Sequence, residues 1–144
     1  MQALMERINS TFPYMPPHFG ESGDRRFRKD FDLPKSSINC RASKNRVLIV
    51  FKEKSLKWTV CTFYLNDQTN HLVLAKRITK MVADFAVFSF ILEELLECLT
   101  DNLESVKQNF PEDHEEIRDL NVRVAKTRDA LQVEQRRPIE ASTY

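Results

Sequence analysis

The stretch RVLIVFKEKSLKWTVCTFYLNDQTNHLVLA, residues 46–75, decides the fold. Val47-Leu48-Ile49-Val50-Phe51 is a short apolar, β-branched run and predicts a strand over 46–51. Lys52-Glu53-Lys54-Ser55 is the turn that follows. Residues 56–65, LKWTVCTFYL, predict a second strand rich in Trp, Thr, Val, Phe and Tyr. Its alternate faces are Trp58/Val60/Thr62/Tyr64 and Thr59/Cys61/Phe63/Leu65. Neither is polar throughout, the pattern of a central strand covered on both sides. Asn66-Asp67-Gln68-Thr69-Asn70 is a second turn. His71–Ala75 reads either as a third strand of a meander or as the first turns of a helix capped by Asn70. A helix over 71–109 would be ~58 Å long, more than a compact domain of this size accommodates, which favours the strand.

From Lys76 the period changes. Ile78, Met81, Phe85, Phe88, Leu92, Leu95, Leu99 and Val106 follow 3-4 spacing, with Asn102 the one polar step. A helix over 76–109 is predicted, apolar around most of its circumference between Phe85 and Leu96. Asn109-Phe110-Pro111 breaks it. A second helix is predicted over 111–136, with Pro111 and the acids Glu112, Asp113, Glu115 and Glu116 at its positive end. Ile117, Leu120, Val124 and Leu131 form a narrow stripe along it, and Arg136-Arg137-Pro138 end it.

Before residue 46 the chain reads differently. Leu4, Ile8 and Phe12 share one face of a short N-terminal helix that Pro13 stops. Residues 13–45 hold Pro13, Pro16, Pro17 and Pro34 and both glycines, Gly20 and Gly23, without periodicity. They read as a loop or an extended arm ordered by a partner. The expected fold is therefore α+β: a short antiparallel two- or three-stranded meander, then two long antiparallel helices, preceded by the short helix and the Pro-containing arm. The expected organisation is residues 1–45 as helix and arm, 46–137 as one domain, and 138–144 as a tail.

Hydrophobic residues are 42% and charged residues 30% of the 144, a globular composition. Two glycines cannot build a P-loop or a dinucleotide fingerprint. MQALMERINS is followed by no apolar h-region, so no signal peptide is expected. The most apolar run, Met81–Leu92, is too short to span a bilayer and contains Asp84, so no membrane contact is expected. Cys40, Cys61 and Cys98 form no CxxC or Cys/His cluster, so no metal is expected, and a reducing cytoplasmic or nuclear setting is. Cys61 and Cys98 read as small core residues.

No nucleophile–base constellation is visible, so neither catalysis, a cofactor nor a small-molecule substrate is expected. His18, His71 and His114 are isolated, and His114 falls among carboxylates in a helix's first turn. Asp84 reads as a solvent-facing acid paired with Lys80 one helical turn earlier, and Glu93, Glu94, Glu97, Asp101 and Glu104 as a mostly solvated face.

The net charge of +1 conceals a division. Residues 1–80 carry 15 Lys+Arg against 7 Asp+Glu, whereas residues 81–144 carry 7 against 14, so one part is +8 and the other −7. Such asymmetry calls for an acidic partner, or for attraction between the halves. Residues 24–57 alone hold 11 cations and 4 acids, with Phe27, Phe31 and Trp58 interleaved. Arg25, Arg26, Arg28, Lys29, Arg41, Lys44, Arg46, Lys76, Arg77 and Lys80 are the candidates for contact with nucleic acid or an acidic protein. In the helices, Phe90 and Leu103 lie off the main ridge, and with Ile117, Leu120, Val124 and Leu131 they form the candidate helix interface.

The order helix, antiparallel strands, helix is similar to that of double-stranded-RNA-binding domains, with Lys76-Arg77 and Lys80 in place of their basic helix start. Here the glycine-containing strand loops are absent, and Phe85, Phe88 and Phe90 replace an alanine-rich face. The sequence thus leads to a non-catalytic adaptor or regulatory accessory protein. It is expected to self-associate or bind a protein through its helices, with the basic half as a second docking surface. The alternative is an RNA- or DNA-binding protein using the arm and sheet edge.

Overall fold

A computed structural model describes residues 31–34, 37–66, 68–69 and 71–136. The chain is α+β and divides into two compact units, residues 1–82 and 83–144. The first holds one antiparallel sheet of four strands in sequential order: β1 (Ile38–Ser43), β2 (Arg46–Lys54), β3 (Lys57–Asn66) and β4 (His71–Met81). Among its described residues the second holds a 3-10 turn (Asp84–Ala86) and two helices, α1 (Val87–Asn109) and α2 (Glu115–Arg136).

The sheet has one strand more than the two or three expected. Residues 38–43 fall where the sequence reads as arm, because Asn39, Arg41 and Ser43 carry no apolar signal. What makes them a strand is tertiary: a tight reversal at Lys44-Asn45 brings β1 back along β2, with Ile38 in register with Val50 and Cys40 with Leu48. β4 departs further. The strand runs to Met81, so the helix expected from Lys76 begins only at Val87. The expected helix start mistook alternation for helical spacing. Ile78 lies between Lys76 and Lys80 in a period of two, and β3 offers partners down to Lys57↔Met81. A register shift between Thr62 and Phe63 leaves Ala75 out of the pairing, and the Val82 N–H donates to the Leu56 carbonyl at 2.6 Å to close the ladder.

The core of the sheet unit gathers Val47, Ile49 and Phe51 of β2, Cys61 and Phe63 of β3, and Leu33. Phe31 stacks edge-on against Phe63 at 5.1 Å, and Leu72 packs alongside. On the other face Leu48, Val50, Val60 and Trp58 are buried too. Burial on both faces of the central strands is what their double apolar pattern implied.

In the second unit α1 ends at Asn109, where the sequence places the break. The second helix starts at Glu115 rather than Pro111. His114 closes the preceding turn by donating its N–H to the Pro111 carbonyl at 2.9 Å. Its Nδ1 accepts the Glu116 N–H at 3.1 Å, which makes the imidazole a helix cap. The predicted N-terminal helix, most of the arm and the 138–144 tail lie outside the described residues.

Candidate interaction surface

The described cations among those singled out in the sequence do not converge on one spot. Arg25, Arg26, Arg28 and Lys29 lie outside the described residues. Arg41 is on β1, in register with Val47. Lys44 occupies the β1–β2 turn, and Arg46 begins β2 with its guanidinium 5.3 Å from the Tyr64 ring centroid. Lys76, Arg77 and Lys80 run down β4, an outer strand of the sheet. They sit on a strand, not on the helix start that the order of double-stranded-RNA-binding domains implies. Four strands, rather than three, precede the helices.

Strand alternation divides these last three cations. Lys76 and Lys80 share a face with Ile78, and Arg77 lies on the other. Arg77 is held by Glu53, whose carboxylate accepts from Lys57 Nζ at 3.1 Å, Thr59 Oγ1 at 3.2 Å and Arg77 Nη2 at 3.4 Å. Thr59 and Thr79 hydroxyls pair at 2.7 Å, and the Arg77 guanidinium also lies 5.6 Å from the Phe51 ring centroid. The hydrogen bond from Lys57 holds the Glu53 carboxyl below its ordinary value, Thr59 and Arg77 act in the same direction, and burial opposes them.

On the Lys76/Lys80 face a row crosses three strands. Lys52 is in register with Trp58, and Trp58 with Lys80. Lys52 Nζ lies 5.5 Å from the indole centroid. Lys52, Lys54, Lys57 and Trp58 belong to this basic end of the sheet, yet they do not stand out as site residues in sequence. Counting back from the 55–56 turn would place Glu53 opposite Trp58; the register shift between Lys52 and Lys54 puts Lys52 there instead, which the sequence does not announce. Trp58 is only 4% exposed, so its ring is structural and is not offered to an unpaired base.

The helix residues proved to be core. Phe90 and Leu103, expected to be left for a partner, are 4% and 7% exposed. Ile117, Leu120 and Val124 are buried and Leu131 is half-buried. The two helices pack on each other, and the buried positions of α2 continue the stripe through Thr127 and Glu134 in steps of three and four. Thr127 satisfies its hydroxyl on the Arg123 carbonyl at 2.7 Å. Asn102, the polar step in the ridge, is 1% exposed. What α2 leaves exposed among large apolar residues is Val122 and Val133.

The isolated acids sort likewise. Asp84 is exposed in the 3-10 turn, but Lys80 is on a strand, so the two are not one helical turn apart. Glu93, Glu97, Asp101 and Glu104 are exposed, whereas Glu94 is buried. Cys61 and Cys98 are buried thiols, and burial pushes the Cys61 thiol up. Among the described residues no group of three or more His, Cys, Asp or Glu is placed to hold a metal ion, and no helix is long and apolar enough to cross a membrane.

No protein-family model matches the chain, and no curated protein or solved structure matches it either. The site is therefore read from its own chemistry. It is a cationic sheet end and edge strand that can attract anions and order a chain laid along it.

Proposed function

We propose that the protein is a non-catalytic interaction protein whose working surface is the cationic sheet, with the helix pair as a separate acidic unit. One observation carries this reading. The boundary between the compact units, at residues 82 and 83, falls where the charge changes sign. Residues 1–82 carry 15 cations and 7 acids, and residues 83–144 carry 7 and 14. Charge sorted by folding unit gives each unit its own class of partner.

The helices are a weaker candidate for the main docking surface, because their seam residues are already buried in the folded chain. Self-association through that seam would require opening the pair. The nucleic-acid alternative retains its phosphate attraction, but among the described residues it loses Trp58 as a stacking ring, since that side chain is buried.

The test titrates the full chain with poly-L-glutamate and with a duplex RNA, at rising salt. Binding to poly-L-glutamate that weakens with salt, and weakens further in Lys76→Glu/Lys80→Glu, supports the proposal. Equal binding by the variant, or none at low salt, overturns it. Tight duplex binding with a steep salt slope would favour the nucleic-acid reading.

A further inference from the structure

β4 is the longest strand of the sheet and an outer one. Among the described residues no strand pairs with its outer side. The Leu65 N–H donates to the Asn45 carbonyl, so odd residues of β3 point their backbone groups toward β2. The Leu56 carbonyl accepts from Val82, so even residues near β3 point toward β4. In the antiparallel ladder, Lys80, Ile78 and Lys76 therefore bond inward to Trp58, Val60 and Thr62. Arg77, Thr79 and Met81 turn their backbone N–H and C=O outward.

We infer that this segment, Arg77–Met81, accepts an extended acidic peptide segment of another protein as a fifth strand. The inference rests on the interaction reading above and names its partner. Three outward-facing residues spaced by two supply the ladder that strand addition needs. Side chains then set the sequence preference. A residue of the added strand lies about 4.5–5.5 Å, Cβ to Cβ, from its cross-strand neighbour. Acids facing Lys76 and Lys80 with an apolar residue facing Ile78 give the pattern acid-x-apolar-x-acid. On the opposite face the added strand meets Arg77 and Met81, the latter 71% exposed.

The same charges select against a second copy. Two β4 strands paired through this segment would gather six cations, counting Lys76, Arg77 and Lys80 from each, and like charges across a ladder repel. Lysines on an edge strand block self-pairing while leaving an acidic strand acceptable.

The experiment uses the full chain and the synthetic nine-residue peptide Glu-Thr-Val-Thr-Glu-Thr-Val-Thr-Glu, which carries the acid-x-apolar-x-acid pattern on one face, followed by fluorescence anisotropy at low salt. Slowed amide exchange at Arg77, Thr79 and Met81 on adding peptide is the direct readout. A peptide N-methylated on alternate residues, which keeps its charge but loses its donors, is expected to bind at least tenfold more weakly. Thr79→Pro removes an outward N–H and leaves the inward bonds to β3, so it is expected to cause a similar loss. Should that variant misfold, the methylated peptide still decides the matter. Equal binding by normal and methylated peptides overturns strand addition. If Lys76→Glu/Lys80→Glu still abolishes that binding, the cationic-surface reading survives; if it has no effect, both fall. A concentration-dependent dimer blocked by Thr79→Pro, or displacement of the peptide by duplex RNA from the same amides, would also overturn the acidic-peptide assignment.

Discussion

Leu56 sits at φ 66°, in the left-handed region that leucine avoids, at the tip of the β2–β3 hairpin. The cost of that conformation for an L-residue is roughly 1–2 kcal/mol. The turn cannot relax without losing the 2.6 Å bond from the Val82 N–H to the Leu56 carbonyl, worth about 1 kcal/mol. The side chain is 43% exposed, so truncation forfeits about 1 kcal/mol of apolar burial. Leu56→Ala loses that contact and keeps the strain. Leu56→Gly loses the same contact and sheds the strain, against roughly 0.5–1 kcal/mol of extra unfolded-chain entropy. The glycine variant should therefore be the more stable of the two by about 0.5–1 kcal/mol. Urea unfolding followed by the emission of Trp58, the one tryptophan of the chain, reports on the sheet unit specifically. An alanine variant as stable as the glycine variant would refute the idea that backbone strain at Leu56 is stored in this turn.

His114→Ala should unravel the first turn of α2 at a cost of about 1 kcal/mol, visible in far-UV circular dichroism, and His114→Asp should restore the cap. Equal loss in both variants would mean that the ring contact with Phe110 at 4.4 Å matters rather than the cap. The Glu53 carboxyl is held below its ordinary value of 4.5, so its stabilising contribution is present above pH 4.5 and disappears as pH falls through the folded value. Glu53→Gln should accordingly be less stable than the parent at neutral pH, by no more than about 1 kcal/mol for partly exposed pairs, and the gap should close on acidification. A gap that does not narrow at all as the pH falls below 4.5 would show that the loss is one of packing.

The strands at 46–51 and 56–65 and the helix seams were legible because each satisfies its own period within one segment. Val47 to Phe51 are apolar whichever way they face, and Phe88, Leu92, Leu95 and Leu99 keep helical spacing without outside help. β1 was not legible, because Asn39-Cys40-Arg41 owes its conformation to β2 beside it. β4 was half legible. Ile78 and Met81 fit the strand, but they also extend the helical row through Phe85, and only the pairing with Val60 and Lys57 decides between the two. The bulge at Ala75 made the choice harder, since it breaks alternation in the middle of the strand. His114 reads as the fourth residue of a helix over 111–136, yet it caps one that begins at Glu115.

The interaction surface follows the same division between local and paired information. Lysines at 52, 54, 57, 76 and 80 announce a positive region in any conformation, so the charge was readable. Their distribution was not, because it depends on register: the ladder puts Lys52 and Lys80 on either side of Trp58 and turns Arg77 toward Glu53 on the other face. Whether 76–81 is helix or strand changes what its cations can do. As a helix start, those residues spend their backbone groups internally, and the cations are only charge. As an outer strand, every second residue holds an N–H and a C=O to one side, so the same cations flank a hydrogen-bonding template. A change of secondary structure in six residues thus converts a charged patch into a surface that can select for the conformation of its partner as well as for its sign.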